Sequence, residues 1–389
     1  MARLGDICEI QSGGTPARSN CTYWEGGTIP WVKISDIKGK HLNKTEEYIT
    51  ESGLQNSSAK LFPKGTILYT IFATLGETCI LDIDAATNQA IAGLTVKSDN
   101  ICREYLYYYL FSLKSVVDNL GRGVAQNNIN MSILRNLPVP LPPLDEQRHI
   151  AAVLDKVSEL IAKRRQQLDK LDELVKSRFI EMFGDPMTNP YNLPKVILGS
   201  VLTIEPQNGL YKPQFDYVSD GTGVPILRID SFYEGKVSNL SSLKRLICSE
   251  IELKRYSLYE NDIVINRVNS IEYLGKCGLI QGLVENTVFE SNMMRLHVDE
   301  HKFHPVYITK LLCSEFIYQQ ILRRAKKAVN QASINQKDVQ SFVVYMPPIE
   351  QQDQFAAFVK QTDKSKLAIQ KSLEKLEILK KALMQKYFG

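Results

Sequence analysis

One stretch of this chain is written twice. At residues 142–154 it reads PPLDEQRHIAAVL, and at residues 347–359 it reads PPIEQQDQFAAFV. The offset of 205 residues holds to the closing motifs, EMFG ending at Gly184 and KYFG ending at Gly389. Repetition on this scale constrains the architecture before any single residue does, because both copies must fold on one plan. The repeat continues upstream, where AQNNINMSILRNLPVPLPP (125–143) parallels NQASINQKDVQSFVVYMPP (330–348). Further back, YLYYYLFS lies over YITKLLCS at an offset of 202, and IPWVKISDI over VPILRIDSF at 195. That drift means small insertions, which surface loops tolerate. Each half is therefore a body of variable appearance followed by a constant tail.

The tails read as long helices. Asp145 and Glu350 follow a Pro-Pro stop, and carboxylates favour a first helical turn. Alternating steps of four and three give Ile150, Leu154, Val157, Ile161, Arg164, Leu168, Leu171, Val175, Arg178 and Met182 in the first tail. In the second they give Phe355, Val359, Thr362, Lys366, Ile369, Leu373, Leu376, Lys380, Leu383 and Tyr387. A 3.5-residue repeat sustained over four heptads, with no internal Gly or Pro, predicts coiled-coil packing. Core helices of one globular domain are the alternative, but residues 145–183 would span about 58 Å at a rise of ~1.5 Å per residue. In the bodies, GTILYTIF and NDIVINRV read as strands and REYLYYYLFSLKSVVDNL as a helix. The expected fold is α+β: two similar mixed α/β domains joined by two long antiparallel coiled-coil helices with pseudo-twofold symmetry. The expected boundaries are a first body at 1–143, a helix at 144–184, a second body at 185–346 and a second helix at 347–389. Two heads held at a fixed distance would suit a target in two separated parts.

Bulk composition agrees with several folded units in 389 residues, 44% hydrophobic and 23% charged. The net charge of +4 permits local nucleic-acid contact without predicting it. Seven scattered cysteines without a C-x-x-C pair point to free thiols in a reducing cytoplasm. No apolar run approaches the ~18 residues of a membrane span, and Asp6 interrupts any secretory leader.

The sequence resembles the specificity (S) subunit of type I restriction–modification systems. The resemblance rests on SGGTP (12–16), YWEGGTIPWVKISDI (23–37), LPPLDEQRHIAAVL (141–154) and FIEMFGDPMTNP (179–190), with weaker echoes in the second half. It covers the whole chain. It implies that the bodies are target-recognition domains, each reading one part of a split double-stranded DNA site. The tails would then set the gap and dock two modification (methyltransferase) subunits, joined for cleavage by restriction (motor-nuclease) subunits. No cofactor is expected on this chain, while S-adenosylmethionine, ATP and Mg would belong to the partners. The helical positions expected at the spacer are Ile150, Leu154, Ile161, Leu168, Leu171, Val175, Phe355, Val359, Leu373, Leu376 and Leu383.

Base edges are read chiefly by Arg, Lys, Asn and Gln, and phosphates are gripped by Lys and Arg. Candidates in the first body are Thr15 and Arg18 of a Gly-rich loop, Lys33, and Arg122, Gln126, Asn127 and Asn128 in GRGVAQNN. In the second body they are Tyr211 and Lys212, Arg228, and Arg323, Arg324, Lys326, Lys327, Asn330 and Gln331 in ILRRAKKAVNQ. Both copies place a basic-then-amide segment just ahead of the tail; a solvated loop is the competing reading. Lys33 and Arg228 are placed in equivalent strands, where ordinary surface charge competes. Unlike residues at these positions predict an asymmetric target.

Other motifs carry less. NPY (189–191) lacks a proline of the amino-methyltransferase motif and has no Gly-rich cofactor loop, so it reads as linker. HVDEHKFH (297–304) has no histidine-bearing counterpart, so no metal is expected. RRAKK fits a phosphate-facing patch better than a localisation signal. LYYYL (106–110) reads as core rather than a base-stacking platform, and AKRRQQ (162–167) as a solvated or partner-facing stripe. No catalytic grouping can be assembled from spacing. The rival classes are a two-headed protein adaptor and a self-sufficient nuclease or methylase. Methylation by the purified chain with its neighbouring modification subunit separates all three.

Overall fold

The computed structural model describes residues 1–114, 129–233, 235–237, 240–329 and 331–389, the side chain of Tyr233 excepted. The chain divides into two compact units, Met1–Arg165 with Lys371–Gly389, and Gln166–Gln370. Both boundaries fall within the long helices, so each unit holds one head and a segment of each helix.

The first head is built on a five-stranded sheet in the order Cys8–Ser12, Ile91–Val96, Ile67–Thr70, Thr78–Leu81, His41–Leu42. The second repeats it as Gln207–Asn208, Met293–Leu296, Ile263–Asn266, Cys277–Leu279, Gly235–Val237, with Phe232–Tyr233 added at the edge. The strands read from GTILYTIF and NDIVINRV are central in these sheets. Every residue of ILYT and IVIN is buried, which is why they read as unbroken apolar runs rather than alternations. Each strand follows a left-handed turn residue, Gly65 at φ +92° and Asn261 at φ +66°, conformations that glycine and asparagine adopt most cheaply. A second, four-stranded sheet completes each head: Glu47–Ile49, Ile29–Val32, Ala85–Thr87, Leu61–Phe62 in the first, and Tyr217–Val218, Arg245–Leu246, Val224–Leu227, Val288–Phe289 in the second. The helix Arg103–Ser112 backs the first sheet with Tyr105 to Tyr109 all buried, as the core reading of LYYYL requires.

Just before each Pro-Pro pair a short antiparallel clip ties the end of the head to its beginning. In one head it is Ala2–Arg3 with Pro138–Val139, and in the other Lys195–Ile197 with Val343–Tyr345. Each long helix then starts, Leu144–Phe183 and Ile349–Phe388, 40 residues apiece. Of the twenty positions in the 4-3 register, none is exposed. Ile150, Leu154 and Ile161 are buried, as are Val175, Phe355 and Val359, while Leu168, Leu171, Leu373, Leu376 and Leu383 are half-buried, as two helices without further cover would leave them. Removing side chains of this size from water contributes about 1.5–3 kcal/mol each when burial is complete.

Within each unit the two helical segments run antiparallel. In the first, Arg165 on one pairs with Glu377 on the other at 2.7 Å, and Leu383, Met384, Tyr387 and Phe388 join the core that holds Ile150 and Leu154. In the second, Lys366 pairs with Asp172, the Arg178 guanidinium lies 5.7 Å from the Phe358 ring, and Phe179 and Phe183 meet Phe355 at 5.5 and 5.6 Å. As the number on one helix rises, its partner's falls.

Candidate nucleic-acid interface

The repeated motif explains itself at the joint between head and helix. In PPLDEQ, Asp145 and Glu146 are exposed but Gln147 is buried. Its Nε2 donates to the carbonyls of Asn100 (2.9 Å) and Pro142 (2.8 Å), and its Oε1 accepts from the Cys102 N–H at 2.9 Å. In PPIEQQ, Gln352 repeats all three bonds, donating to Lys302 (3.0 Å) and Pro347 (2.8 Å) and accepting from the His304 N–H at 2.9 Å. A side chain one turn into the helix thus satisfies backbone groups of both the head and the incoming chain. Burying an amide is tolerable only when it is bonded in this way. The closing motifs complete the joint. Phe183 packs 4.7 Å from Tyr307 in one unit, and Phe388 packs 5.4 Å from Tyr105 in the other. Gly184 then turns left-handed at φ +77° to end its helix. Sequence comparison marked this glutamine as repeated but assigned it no role; its recurrence five residues after the first proline, in otherwise changing company, was the available signal.

The head residues singled out for DNA contact separate into two groups. In the first head, Thr15 donates to Gln89. The Arg18 guanidinium stacks 3.6 Å from the Trp24 centroid and pairs with Glu47 at 2.6 Å. Lys33 pairs with Glu47 at 2.9 Å and Glu46 at 3.2 Å. Hydrogen bonds donated to Glu47 and then to Glu46 raise the Lys33 pKa; burial would raise Glu47, but Lys33 and Arg18 hold it below the usual carboxylate range. Two cations here face two anions. Arg122, Gln126, Asn127 and Asn128 lie outside the described residues.

In the second head, Lys212 is held by Glu252 at 3.0 Å and Asp216 at 3.5 Å, while the neighbouring Tyr211 is exposed. Arg228 lies 3.8 Å from Asp230 and 5.9 Å from the Tyr217 centroid. Arg228 and Lys33 were expected within strands; each instead stands one residue past its strand's end, after Val224–Leu227 and Ile29–Val32. There Lys33 meets Glu46 and Glu47, and Arg228 approaches Asp230. Arg324 is also occupied, donating to Ser341 Oγ at 2.9 Å and the Gln320 carbonyl at 3.0 Å.

Arg323, Lys326, Lys327 and Gln331 are different. All four are exposed, and among the described residues their side chains make no ion pair or hydrogen bond. Lys326–Lys327 and Ala332–Ser333 form an antiparallel ribbon, with Lys326 opposite Ser333 and Lys327 opposite Ala332. The Ala328 N–H closes its tip on the Gln331 carbonyl at 2.7 Å. Val268–Asn269 adds a third strand along Ala332–Ser333. Asn330 lies outside the described residues. Short-range pattern gave no hint of this ribbon, because each strand has only two residues.

The rejected motifs have structural roles. His297 Nδ1 lies 2.9 Å from the buried Asp262, whose pKa burial raises, and His304 caps the helix Pro305–Leu312. Among the described residues no three His, Cys, Asp or Glu side chains form a metal-binding group. No described helix is long and apolar enough to cross a membrane.

Comparison with known proteins bears on this arrangement. A family profile described as the type I restriction modification DNA specificity domain matches residues 1–173 and again 193–380. The MjaIX specificity subunit of Methanocaldococcus jannaschii is 27% identical over 418 residues, covering 99% of this chain and 91% of that one. The EcoKI specificity subunit of Escherichia coli K12 is 24% identical over 394 residues, covering 94% and 83%. In fold, the S subunit from M. genitalium superposes with a TM-score of 0.60 at 15% identity, over 100% of this chain and 95% of that one.

Proposed function

The chain belongs to the type I restriction–modification DNA specificity family, and from that membership we propose that it reads an asymmetric, bipartite DNA site and positions partner methyltransferases on it. Each head reads one block of bases. The long helices set the unread interval and dock two modification subunits, and through them the restriction subunits. Recognition is the chain's whole task; S-adenosylmethionine, ATP and Mg serve the partners.

The observation that carries this reading is the repeated joint. The same buried glutamine fastens each head to its helix, while the surfaces the two heads offer are unlike. A conserved joint with divergent heads is what one mechanical task and two base sequences would require. Docking is supported by large apolar side chains left exposed on the helices, Leu174, Ile180 and Leu367 in one unit and Ile378 and Leu379 in the other.

The test is the methylation pattern laid down by the chain together with its modification subunit. A bipartite motif with unlike halves is expected. Inserting one heptad into both helices adds about 10 Å of rise and lengthens the gap by about three base pairs, with the bases read unchanged. A complex without sequence preference, or an insertion that alters the bases instead of the gap, refutes the reading.

A further inference from the structure

We propose that Lys40 and Lys236 are positioning residues for the unread interval, each tying its head to the long helix at a second point so that one gap length is favoured. This rests on the DNA-recognition reading and adds the side chains that make the spacing strict.

In each unit the buried glutamine fastens the start of the helix, and an ion pair crosses from head to helix further along. Lys40, beside the edge strand His41–Leu42, pairs with Asp155. Lys236, in the strand Gly235–Val237, pairs with Asp363. Asp155 stands eight residues past Gln147 and Asp363 eleven past Gln352, about 12 and 16 Å along a helix. At the 205-residue offset of the helices Asp155 corresponds to Lys360, so the second tie is made from a position almost one turn further on. The contact recurs although its acid has moved, which duplication alone does not produce.

The first tie is the more enclosed. The Lys40 side chain keeps 17% exposure, with its Nζ 4.9 Å from the Tyr108 ring centroid and 5.5 Å from that of Tyr107. Tyr108 Oη donates to the same carboxylate oxygen, Asp155 Oδ1, at 2.6 Å. Burial and then that bond push the Tyr108 pKa up, so the hydroxyl stays a donor. One aspartate of the long helix is thus held by the edge of the sheet and by the helix Arg103–Ser112 behind it. The pairs of Glu159 with Lys156 and Lys163, in contrast, lie exposed within a single helix.

Ile150, Ala151 and Leu154 hold the first head against its helix, but apolar contact is non-directional and sets tilt loosely. A charge-assisted hydrogen bond is directional. A head pinned only near Gln147 would rock about that point. Giving up about 3 Å at the end of a ~12 Å arm tips it by about 14°. At ~30 Å, the diameter of a small domain, the reading surface then moves about 7 Å, or about two base-pair steps. A duplex whose interval is one pair too long or too short is reached by such rocking, which breaks the tie. The energy of the tie therefore becomes discrimination between gap lengths.

The experiment uses the full chain with its modification subunit and duplexes carrying the site found by methylation mapping. The interval is kept at its natural length or made one pair longer or shorter, and initial methylation rates are compared. The wild type prefers the natural length. In Lys40→Ala that preference falls about fivefold, what one part-buried ion pair supplies, while the bases read stay the same. Lys40→Arg, which keeps the charge and the donors, retains the preference. Tyr108→Phe removes the second donor to Asp155 but keeps the ring in the core, and it lowers the preference in the same direction. It carries the test should the melting temperature show that Lys40→Ala does not fold. A wild type indifferent to gap length, a preference that survives in both Lys40→Ala and Tyr108→Phe, or an arginine variant that behaves as alanine overturns the proposal with DNA recognition intact. So does a change in the bases read instead of the gap. A wild-type complex that methylates every sequence alike removes the recognition reading itself.

Discussion

Replacing Gln352 by alanine should loosen the second unit by an amount the joint itself fixes. The substitution strips partners from three backbone groups, the buried carbonyl of Pro347 and the part-buried His304 N–H and Lys302 carbonyl. An unmet buried polar group costs about 1–3 kcal/mol. The lost side chain leaves room for water to reach some of them, which favours the low end. The expected destabilisation is therefore about 3 kcal/mol, or about 6–12 °C in melting temperature for a unit of this size. Equilibrium unfolding in urea measures the total, and amide exchange at His304 and, for Gln147→Ala, at Cys102 locates it. Gln352→Met supplies the decisive comparison. It keeps the shape but offers no hydrogen bonds and admits no water, so it should cost at least as much as alanine. If methionine restores stability, the glutamine acts by filling space and the hydrogen-bond account is wrong.

Two further outcomes follow from the same geometry. His304 accepts the Val306 N–H through Nδ1, and burial pushes its pKa below the ordinary value against the opposing pull of Asp353 and Glu300. The unfolded ring takes up a proton below about pH 6.5 while the folded ring resists, so stability should fall as pH drops from there toward the folded pKa. His304→Asn keeps a helix-capping acceptor and should flatten that slope in unfolding measured across the range; an unchanged slope assigns it to other groups. On the DNA side, Lys326→Ala and Lys327→Ala should each reduce the dependence of log K on log salt by about 0.9, weakening all sequences alike. Lys33→Ala should leave the slope nearly unchanged, because Glu46 and Glu47 already meet that charge; equal effects at all three positions would mean that the internal pairs open on binding.

What could be read in the sequence follows from the range over which each feature is encoded. The long helices were legible because a 3.5-residue period is a local property repeated over 40 residues, enough for polar intruders such as Arg164 and Lys366 to leave the register intact. The heads were legible in their central strands and in the helix Arg103–Ser112, while the remaining strands have two to six residues and owe their existence to partners far along the chain. Charge is the extreme case. Arg18 and Glu47 stand 29 positions apart, Lys212 and Glu252 stand 40 apart, and nothing in the intervening residues declares that they meet. A basic residue in a loop therefore looks the same in sequence whether its charge is available or already met. Once the folded head is known, the question shifts from which residues are basic to which remain unmatched. In the second head that criterion favours Arg323, Lys326 and Lys327 over Lys212, all of which the sequence had offered as candidates. The ion pairs then take on a role of their own. By neutralising cations beside the heads' own sheets, they reduce the number of side chains left to meet a phosphate, and Arg323, Lys326 and Lys327 are among those that remain in the second head.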